Sequence, residues 1–429
     1  MAASNKSRKS SSPGLLRSFV GERRNGDMSL SFFAYVMILL VVGLVMMSSA
    51  SYAWAYSDEG DGLFYAKNQA KNAAIGFVAM IFFMKMDYHN FKKIKLPLLK
   101  KFNIAGLMYI VGIILLALVL AIGNDEGGSM GAKRWLDIGP VGFQPSEFAK
   151  LAIIIFFAYN MERDGRRMNK ITVGILKYAV FVGVYVALLY FEPHISGIML
   201  VGCIAIAMIL CGGANRRQFL LLGITALTAA VGVIGYQATV PGSYVSVRIK
   251  SWKDPFADVL NDTWQTANSL IAIGSGGLFG LGLGNSRQKY LYLPETKNDF
   301  VFPIVCEELG FVGALAIIIV FFLLVVEGYS IAVRCKDRFG MLIAVGITTQ
   351  IGIQTVLNLA VVSNLIPNTG ISLPFFSYGG TALIMQLAEM GIMLNISQQR
   401  YYPDEEEKKS APPVKSGGSE TIHEELKGA

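Results

Sequence analysis

Two of the residues best suited to chemistry open an apolar stretch near the first third of the chain. Glu147 and Lys150 lie three residues apart, so on a helix their side chains share a face and can pair. Ionisable groups at the edge of an apolar run are costly and tend to face a cavity or a partner. The spacing therefore leaves two interpretations open. One is a functional cavity pair, and the other is a local ion pair whose lysine reaches toward the membrane surface.

A second acidic group begins a later apolar run. Asp299 stands just before that run, where its simplest role would be to cap a helix. The adjacent pair Glu307 and Glu308 lies inside the run and demands cationic partners. We expect these carboxylates to share one mixed-charge cavity, in which a carboxylate can act as general base on a hydroxyl and cations can stabilise a departing anion. The expected cations are Lys150, Lys289 and Arg134.

Three further segments carry candidate binding residues. Lys133, Arg134 and Trp135 place two cations beside an aromatic ring, which suits either an anion or a lipid headgroup. The glycine-rich stretch around Ser275 has no preceding strand and no Gly-Lys-Ser/Thr ending, so a nucleotide loop is improbable. The segment 364–380 holds two prolines and paired glycines. Irregular backbone of that kind survives at membrane depth only when it is buried in protein or lines a cavity. The remaining candidates in these segments are Gln288, Pro374 and Ser377.

The elements that must position these residues are membrane helices. The chain has 429 residues, of which 53% are hydrophobic and only 16% charged, whereas soluble domains carry about 25% charged residues. Apolar runs repeatedly approach the ~20 residues that cross a bilayer. The fold class predicted is an all-α polytopic membrane protein with about ten transmembrane helices. The runs lie near 30–50, 72–86, 103–122, 146–160, 172–191, 195–211, 219–236, 303–326, 340–362 and 379–396.

Lysine and arginine in the short loops predict the orientation, because cytoplasmic loops are enriched in both. They place both termini in the cytoplasm and one long loop, 237–302, outside, between spans seven and eight. The predicted organisation is a disordered basic tail 1–28, a transmembrane domain 29–397 and a disordered tail 398–429. The net charge of +8 follows from these loops, and we expect no nucleic-acid partner.

Metal and disulfide chemistry have little support in the sequence. The four cysteines are scattered and there are only three histidines, which argues against a zinc site, a disulfide framework or a histidine triad. A divalent cation, Mg²⁺ or Mn²⁺, stays possible at the acidic cavity, although no ligand set in the sequence defines one.

Three ordered motifs resemble those of the SEDS family (shape, elongation, division and sporulation), over about residues 30–397. The first combines Lys133-Arg134-Trp135 with Gln144-Pro145-Ser146-Glu147. The second runs from Ala272-Ile273-Gly274-Ser275-Gly276-Gly277 through Gln288-Lys289 to Tyr292-Leu293-Pro294-Glu295. The third runs from Pro367-Asn368-Thr369-Gly370 to Pro374-Phe375-Phe376-Ser377-Tyr378-Gly379-Gly380.

The resemblance implies a peptidoglycan glycosyltransferase that polymerises lipid II outside the cytoplasmic membrane. It also implies a class B penicillin-binding protein as partner, further division proteins, and a place at the division septum. Asp299 matches the essential acid of the family and would be the general base. We hypothesise that Glu147 and Lys150 form the cavity pair that orients it, and that Lys133, Arg134 and Lys289 bind the pyrophosphate. Apolar grooves would hold the polyprenyl chain among membrane lipid. The motif after Arg287 is closer to the division branch, and the sporulation branch stays open.

The chain departs from the family pattern at two places. Lys297-Asn298 stands where many members have His-Thr or Gln-Thr before the aspartate, which bears on substrate tuning. Pro193-His194 stands where many have Pro-Asp, and we expect a structural histidine there.

Two rival functions remain from the residues alone. A lipid II flippase would also need many spans, buried charge and an apolar cavity, but the charges here concentrate on the outer side and no inverted repeat is evident. A scaffold that only recruits division proteins would not explain Glu147, Glu307 and Glu308 in apolar runs. We therefore rank polymerase before flippase and flippase before scaffold.

Overall fold

The computed structural model describes residues 26–93, 103–123, 134–138, 141–240, 244–258 and 263–399. Nearly all of the two predicted tails, 1–28 and 398–429, lies outside these ranges, and so does Lys133. All helices, contacts and distances belong to residues within these ranges.

Every apolar run predicted from the sequence forms a helix, and two shorter helices lie inside the predicted long loop. In chain order the helices are α1 Leu30–Glu59, α2 Phe64–Lys85, α3 Ile104–Ile122, α4 Pro145–Asp164, α5 Lys177–Phe191, α6 Ile195–Cys211, α7 Arg216–Thr239, α8 Tyr244–Lys253, α9 Trp264–Ser275, α10 Val301–Val333, α11 Arg338–Val362 and α12 Gly380–Ser397. A short helix Asn90–Lys93 follows α2, and a 3₁₀ turn Gly165–Asn169 and a π turn Thr172–Leu176 precede α5.

Five of these segments are long and apolar enough to cross a membrane on length and composition alone. They are Leu30–Glu59, Ile104–Ile122, Thr172–Phe191, Val301–Val333 and Arg338–Val362. The mostly helical membrane fold is thus confirmed, and the count of ten spans stays a prediction.

Two details differ from the sequence interpretation. Helix α2 begins at Phe64, eight residues before the predicted run at 72, because its first turns contain polar residues that lower the hydropathy. One of them, Gln69, is fully buried and donates to the Ser377 carbonyl at 3.0 Å. The second difference is an unpredicted antiparallel hairpin, in which β1 Leu136–Ile138 pairs with β2 Val141–Phe143.

The helices pack around α11, most of whose length is buried and which contacts α4, α6 and α10. Helix α2 packs along α12, where Gly391 permits close contact: a Cβ there would lie 2.3 Å from the Met80 carbonyl oxygen. Loops after α5, α7 and α11 meet at one end of the bundle, which also contains Asp299. We call this end, with the described segments 134–138, 141–143, 192–194, 254–258, 263–300 and 363–379, the site end.

Helix α10 is broken near its start. Gly310 has φ 69° and ψ −172°, so the segment 301–309 is offset from the rest of the helix. The glycine-rich loop after α9 supplies the missing hydrogen bonds: Leu281 N–H donates to the Glu307 carbonyl at 2.9 Å, and Phe311 N–H donates to the Gly277 carbonyl at 2.9 Å. Backbone groups freed by a break must find such partners in a membrane protein. The alternation of glycine with leucine and phenylalanine in this loop therefore serves close backbone packing.

We expect Gly310→Ala to destabilise the protein strongly. A Cβ at Gly310 would lie 2.3 Å from the Gly280 nitrogen and would occupy a left-handed conformation, so the cost should be about 2 kcal/mol or more. The matched control is Gly183→Ala in α5, where a Cβ meets nothing within 4 Å. In thermal unfolding in detergent, the midpoint temperature should fall clearly for Gly310→Ala and stay near that of the wild type for Gly183→Ala. Equal midpoints for the two variants would contradict this account of the break.

Candidate functional site

Asp299 is held at the site end by its backbone. Three consecutive carbonyl groups, of residues 297–299, each accept one hydrogen bond from the α11 to α12 region. Their donors are Tyr378 N–H (2.6 Å), Ser377 Oγ (2.6 Å) and Asn358 Nδ2 (2.8 Å) respectively. Asp299 does not take the alternative role of a helix cap, since the N-cap of α10 is Phe300 and no side chain caps it. The hydrogen bonds that fix Asp299 therefore do not involve its carboxylate.

The segment that supplies two of these donors, Ser377 and Tyr378, is non-helical, as its prolines and glycines predict, and it is mostly buried from residue 371 onward. Pro374 is buried, and Ser377 Oγ also accepts from Leu373 N–H at 2.7 Å. Gly370, with φ 68°, brings its backbone against the catalytic candidate: a Cβ there would lie 3.1 Å from Asp299 Oδ2. Pro374 and Ser377 therefore belong to the frame that positions Asp299.

Asp299 lies in a polar environment that alters its acidity. Burial, and to a smaller extent the nearby Glu295 carboxylate, raise the pKa of Asp299 to about 7, although the Arg134 guanidinium acts in the opposite direction. Burial also raises the pKa of Glu295. A carboxylate with a pKa near neutrality is well matched to accept a proton from a hydroxyl.

Arg134 lies between Asp299 and two further residues, Glu192 and His194. The sequence did not single out Glu192, and it predicted only a structural role for His194. Arg134 Nη2 donates to the Pro193 carbonyl at 2.6 Å, between Glu192 and His194. Burial raises the pKa of Glu192 to about 8, against the effect of Arg134. Burial, Arg134 and Lys150 together lower the pKa of His194 to about 3, so the imidazole is neutral. Glu192 ends an apolar run, and that position was the signal available in the sequence.

Glu147 and Lys150 form the ion pair that their spacing predicts. Lys150 Nζ lies 2.8 Å from Glu147 Oε1, and both side chains are buried. Sequence reasoning missed a third member, Glu389 of α12, which is buried and near enough to both to interact electrostatically. The Glu389 carboxylate accepts from Gln350 Nε2 at 2.9 and 3.1 Å. Lys150 thus forms an ion pair with Glu147 and also stabilises the charge of Glu389 at longer range.

Glu307 and Glu308 do not share a cavity with Lys150 and Arg134 as expected. Glu307 accepts from Ser286 Oγ at 2.5 Å and from the backbone N–H groups of residues 287 and 288, and Glu308 pairs with Lys289 at 3.0 Å. Among the described residues, neither glutamate forms an ion pair with Lys150 or Arg134. Both acids instead anchor the loop 284–289.

Lys289 is also committed to that loop. It is buried, and its Nζ donates to Glu308, to Ser49 Oγ at 3.0 Å and to the Gly284 carbonyl at 2.6 Å. With all three of its N–H bonds directed at protein acceptors, Lys289 has no donor left for a pyrophosphate. The expected binding role does not fit this geometry, and a structural role does.

The other candidates lie at the site end with few contacts to Asp299. Ser275 ends α9 and donates to the Ala272 carbonyl at 3.0 Å. Gln288 N–H donates to Glu307, while its Oε1 is buried without a partner. Trp135 is partly buried beside Arg134. Within the described ranges, no group of three or more His, Cys, Asp or Glu residues has the arrangement to hold a metal ion.

Removing Lys150 should cost more than removing Glu147. Lys150→Met leaves two buried carboxylates, of Glu147 and Glu389, without their cation, whereas Glu147→Gln leaves Lys150 with Glu389. Breaking a buried pair costs about 3–5 kcal/mol, and we expect Lys150→Met to reach that range. Thermal unfolding of both single variants and of the double variant measures the coupling. A double variant no more stable than Lys150→Met alone would contradict the pairing.

The sequence and fold match known proteins over most of the chain. Residues 29–402 match the FtsW/RodA/SpoVE family of cell cycle proteins. Stage V sporulation protein E of Bacillus subtilis (strain 168) is 38% identical over 369 residues, covering 85% of this chain and 96% of the relative. A probable peptidoglycan glycosyltransferase FtsW of Geobacter sp. (strain M18) is 35% identical over 361 residues, covering 84% of this chain and 94% of the relative.

Solved structures share the fold. One is of a peptidoglycan synthase complex that coordinates polymerization and crosslinking, with a TM-score of 0.71 and 27% identity over 87% of this chain and 98% of its counterpart. Another is the rod shape determining protein RodA of Thermus thermophilus, with a TM-score of 0.62 and 25% identity over 87% of this chain and 98% of its own. Both the extent of the family match and the identity to full-length relatives identify the group. The chain belongs to the FtsW/RodA/SpoVE family.

Proposed function

We propose that this chain is a peptidoglycan glycosyltransferase that polymerises lipid II into glycan strands on the outer face of the cytoplasmic membrane. The observation that carries the proposal is Asp299, a carboxylate fixed through its backbone with its side chain beside Arg134. The names of the relatives, which include a probable peptidoglycan glycosyltransferase and a peptidoglycan synthase complex, support the reaction class.

In the proposed reaction, a sugar 4-hydroxyl attacks the anomeric carbon of a second lipid-linked disaccharide. The hydroxyl proton passes to the Asp299 carboxylate as the new C–O bond forms. The bond between the anomeric carbon and the phosphate oxygen breaks, and its electron pair leaves with the lipid pyrophosphate. Arg134, fixed on the Pro193 carbonyl, is placed to stabilise the charge that develops on the leaving group.

The proposed membrane arrangement has ten spans with both termini in the cytoplasm and the loop 237–302 outside. It is supported by the basic loops at the end of the bundle opposite Asp299, where Arg166, Arg167 and Lys170 are exposed. In this arrangement the site end faces the cell exterior, where lipid II is consumed.

The proposed partner is a class B penicillin-binding protein, with other division proteins at the septum. A solved relative belongs to a complex that coordinates polymerization with crosslinking, and a polymerase of this kind needs an enzyme to crosslink its strands. The relatives include both a stage V sporulation protein and probable peptidoglycan glycosyltransferases FtsW, so the proposed division role rests on the motif at residues 287–292.

Asp299→Asn should reduce polymerisation by at least about 100-fold, since removal of a general base typically costs 10²–10⁴ in rate. The assay is glycan formation from labelled lipid II by the purified chain, alone and with a penicillin-binding partner whose transpeptidase site is inactivated. Wild-type activity should rise with pH through about 7, because only the ionised carboxylate accepts a proton. The control is Asp61→Asn, a half-exposed aspartate paired with Lys67.

Full activity of Asp299→Asn would remove Asp299 from the mechanism. Absence of strands from wild type and variant alike, with lipid II crossing liposomes in a parallel assay, would favour the flippase. Absence of both activities, with binding of division proteins retained, would favour the scaffold.

The membrane arrangement is tested by labelling single cysteines in a variant without Cys203, Cys211, Cys306 and Cys335. Lys250→Cys in α8 and Arg166→Cys after α4 are both at exposed positions. A membrane-impermeant maleimide should label the cysteine at 250 in intact cells and the cysteine at 166 only after permeabilisation. The reverse pattern would invert the proposed orientation.

A further inference from the structure

Buried polar atoms without partners cluster around Arg134. Among the described residues, Arg134 Nε, Glu192 Oε1 and His194 Nδ1 are each buried with no hydrogen-bond partner. Glu192 is only 3% exposed and His194 9%. A buried polar atom without a hydrogen-bond partner destabilises a protein, so three of them together indicate a ligand that completes the site.

The geometry fixes these atoms around one turn. Glu192 and His194 flank Pro193, whose carbonyl accepts from Arg134 Nη2 at 2.6 Å. That bond holds the guanidinium over the turn and leaves Nε for a ligand. Ser196 Oγ, at the start of α6, donates to the Gly370 carbonyl at 3.1 Å, and Gly370 is in close contact with Asp299 Oδ2. The turn and the proposed base therefore border the same region of the site end.

The unpaired atoms define the chemistry of the ligand. Arg134 Nε offers a donor and a positive charge, which suit a phosphate oxygen. A neutral Glu192 carboxyl offers an O–H donor to the same kind of acceptor, whereas its ionised form would repel a phosphate. A neutral His194 side chain can serve either a phosphate or a sugar hydroxyl. A diphosphate attached to a sugar meets all three requirements.

We propose that Glu192, as the neutral acid, is a substrate-binding residue that donates a hydrogen bond to the diphosphate held by Arg134. The proposal rests on the proposed function and deepens it by assigning a second carboxyl to the leaving-group side of the site. No covalent change occurs at Glu192. Asp299 accepts the proton from the attacking hydroxyl, and Glu192 keeps its own.

Burial, and not the charged groups in this region, determines the sign of the pH dependence expected for diphosphate binding at Glu192. Arg134 precedes the hairpin, His194 lies on the same turn, Lys150 projects from α4, and Asp299 and Glu295 precede α10. Burial outweighs Arg134 and raises the pKa of Glu192 to about 8. Below that pH the carboxyl is a donor, and above it the ionised group opposes diphosphate binding.

The test is binding of farnesyl diphosphate to the purified full-length chain at pH 7 and pH 9.5. Wild type should lose about tenfold in affinity at the higher pH, as the neutral donor disappears. Glu192→Gln keeps a neutral donor, so it should bind within about threefold of wild type at pH 7 and keep that affinity at pH 9.5. Glu192→Ala should be about tenfold weaker than wild type at pH 7. The matched control is Glu162→Gln, which removes a carboxylate paired with Lys92 at the opposite end of α4.

Two results would overturn the proposal: Glu192→Ala binding as tightly as wild type at pH 7, or Glu192→Gln losing affinity with pH as wild type does. Thermal unfolding at both pH values separates a folding defect from a binding defect. The lipid II assay separates this proposal from the proposed function. If farnesyl diphosphate binding shows the predicted dependence on pH and on Glu192 but no glycan forms, the diphosphate site is supported and the polymerase is rejected. If glycan forms but binding does not show that dependence, the polymerase is supported and the role of Glu192 is rejected.

Discussion

The geometry of this protein depends on a set of backbone hydrogen bonds made by three successive carbonyl groups. The carbonyl groups of residues 297 and 298 each accept a hydrogen bond from the segment between α11 and α12, and that of residue 299 accepts one from Asn358 in α11. Because the bonds involve main-chain acceptors, they fix the position of Asp299 without using its carboxylate. Asn358 extends the constraint, since the same Nδ2 also donates to the Ile371 carbonyl at 2.5 Å. A buried amide thus aligns the two segments that border the site.

The break in α10 at Gly310 helps to fix the segment that precedes Asp299. It offsets the first turns of α10, so that Glu307 and Glu308 can hold the loop 284–289 while the glycine-rich loop bonds to the backbone around the break. The chain leading into Asp299 is therefore anchored at both ends. Charge in an apolar run, which invites a catalytic interpretation, here stabilises the loop that precedes the catalytic candidate.

Charged side chains that have protein partners can be distinguished from those that have atoms free to bind a ligand. Lys289 directs all its donors at protein acceptors, and Lys150 is engaged by buried carboxylates. Arg134 and Glu192 retain unpaired buried atoms beside Asp299. These two unpaired groups, and not the total number of charges, support the proposed diphosphate site.

The sequence alone determined the mostly helical membrane fold, the i,i+3 pairing of Glu147 with Lys150 and the family, because hydropathy, helical spacing and motif order are local properties of the chain. The sequence did not reveal which cationic and acidic side chains interact when they are far apart along the chain. That choice depends on residues far apart in sequence: Lys289 with Glu308, and Arg134 with the turn at Glu192. Only the packing of helices brings such groups together, and burial then decides which carboxylates must be paired and which can hold a proton.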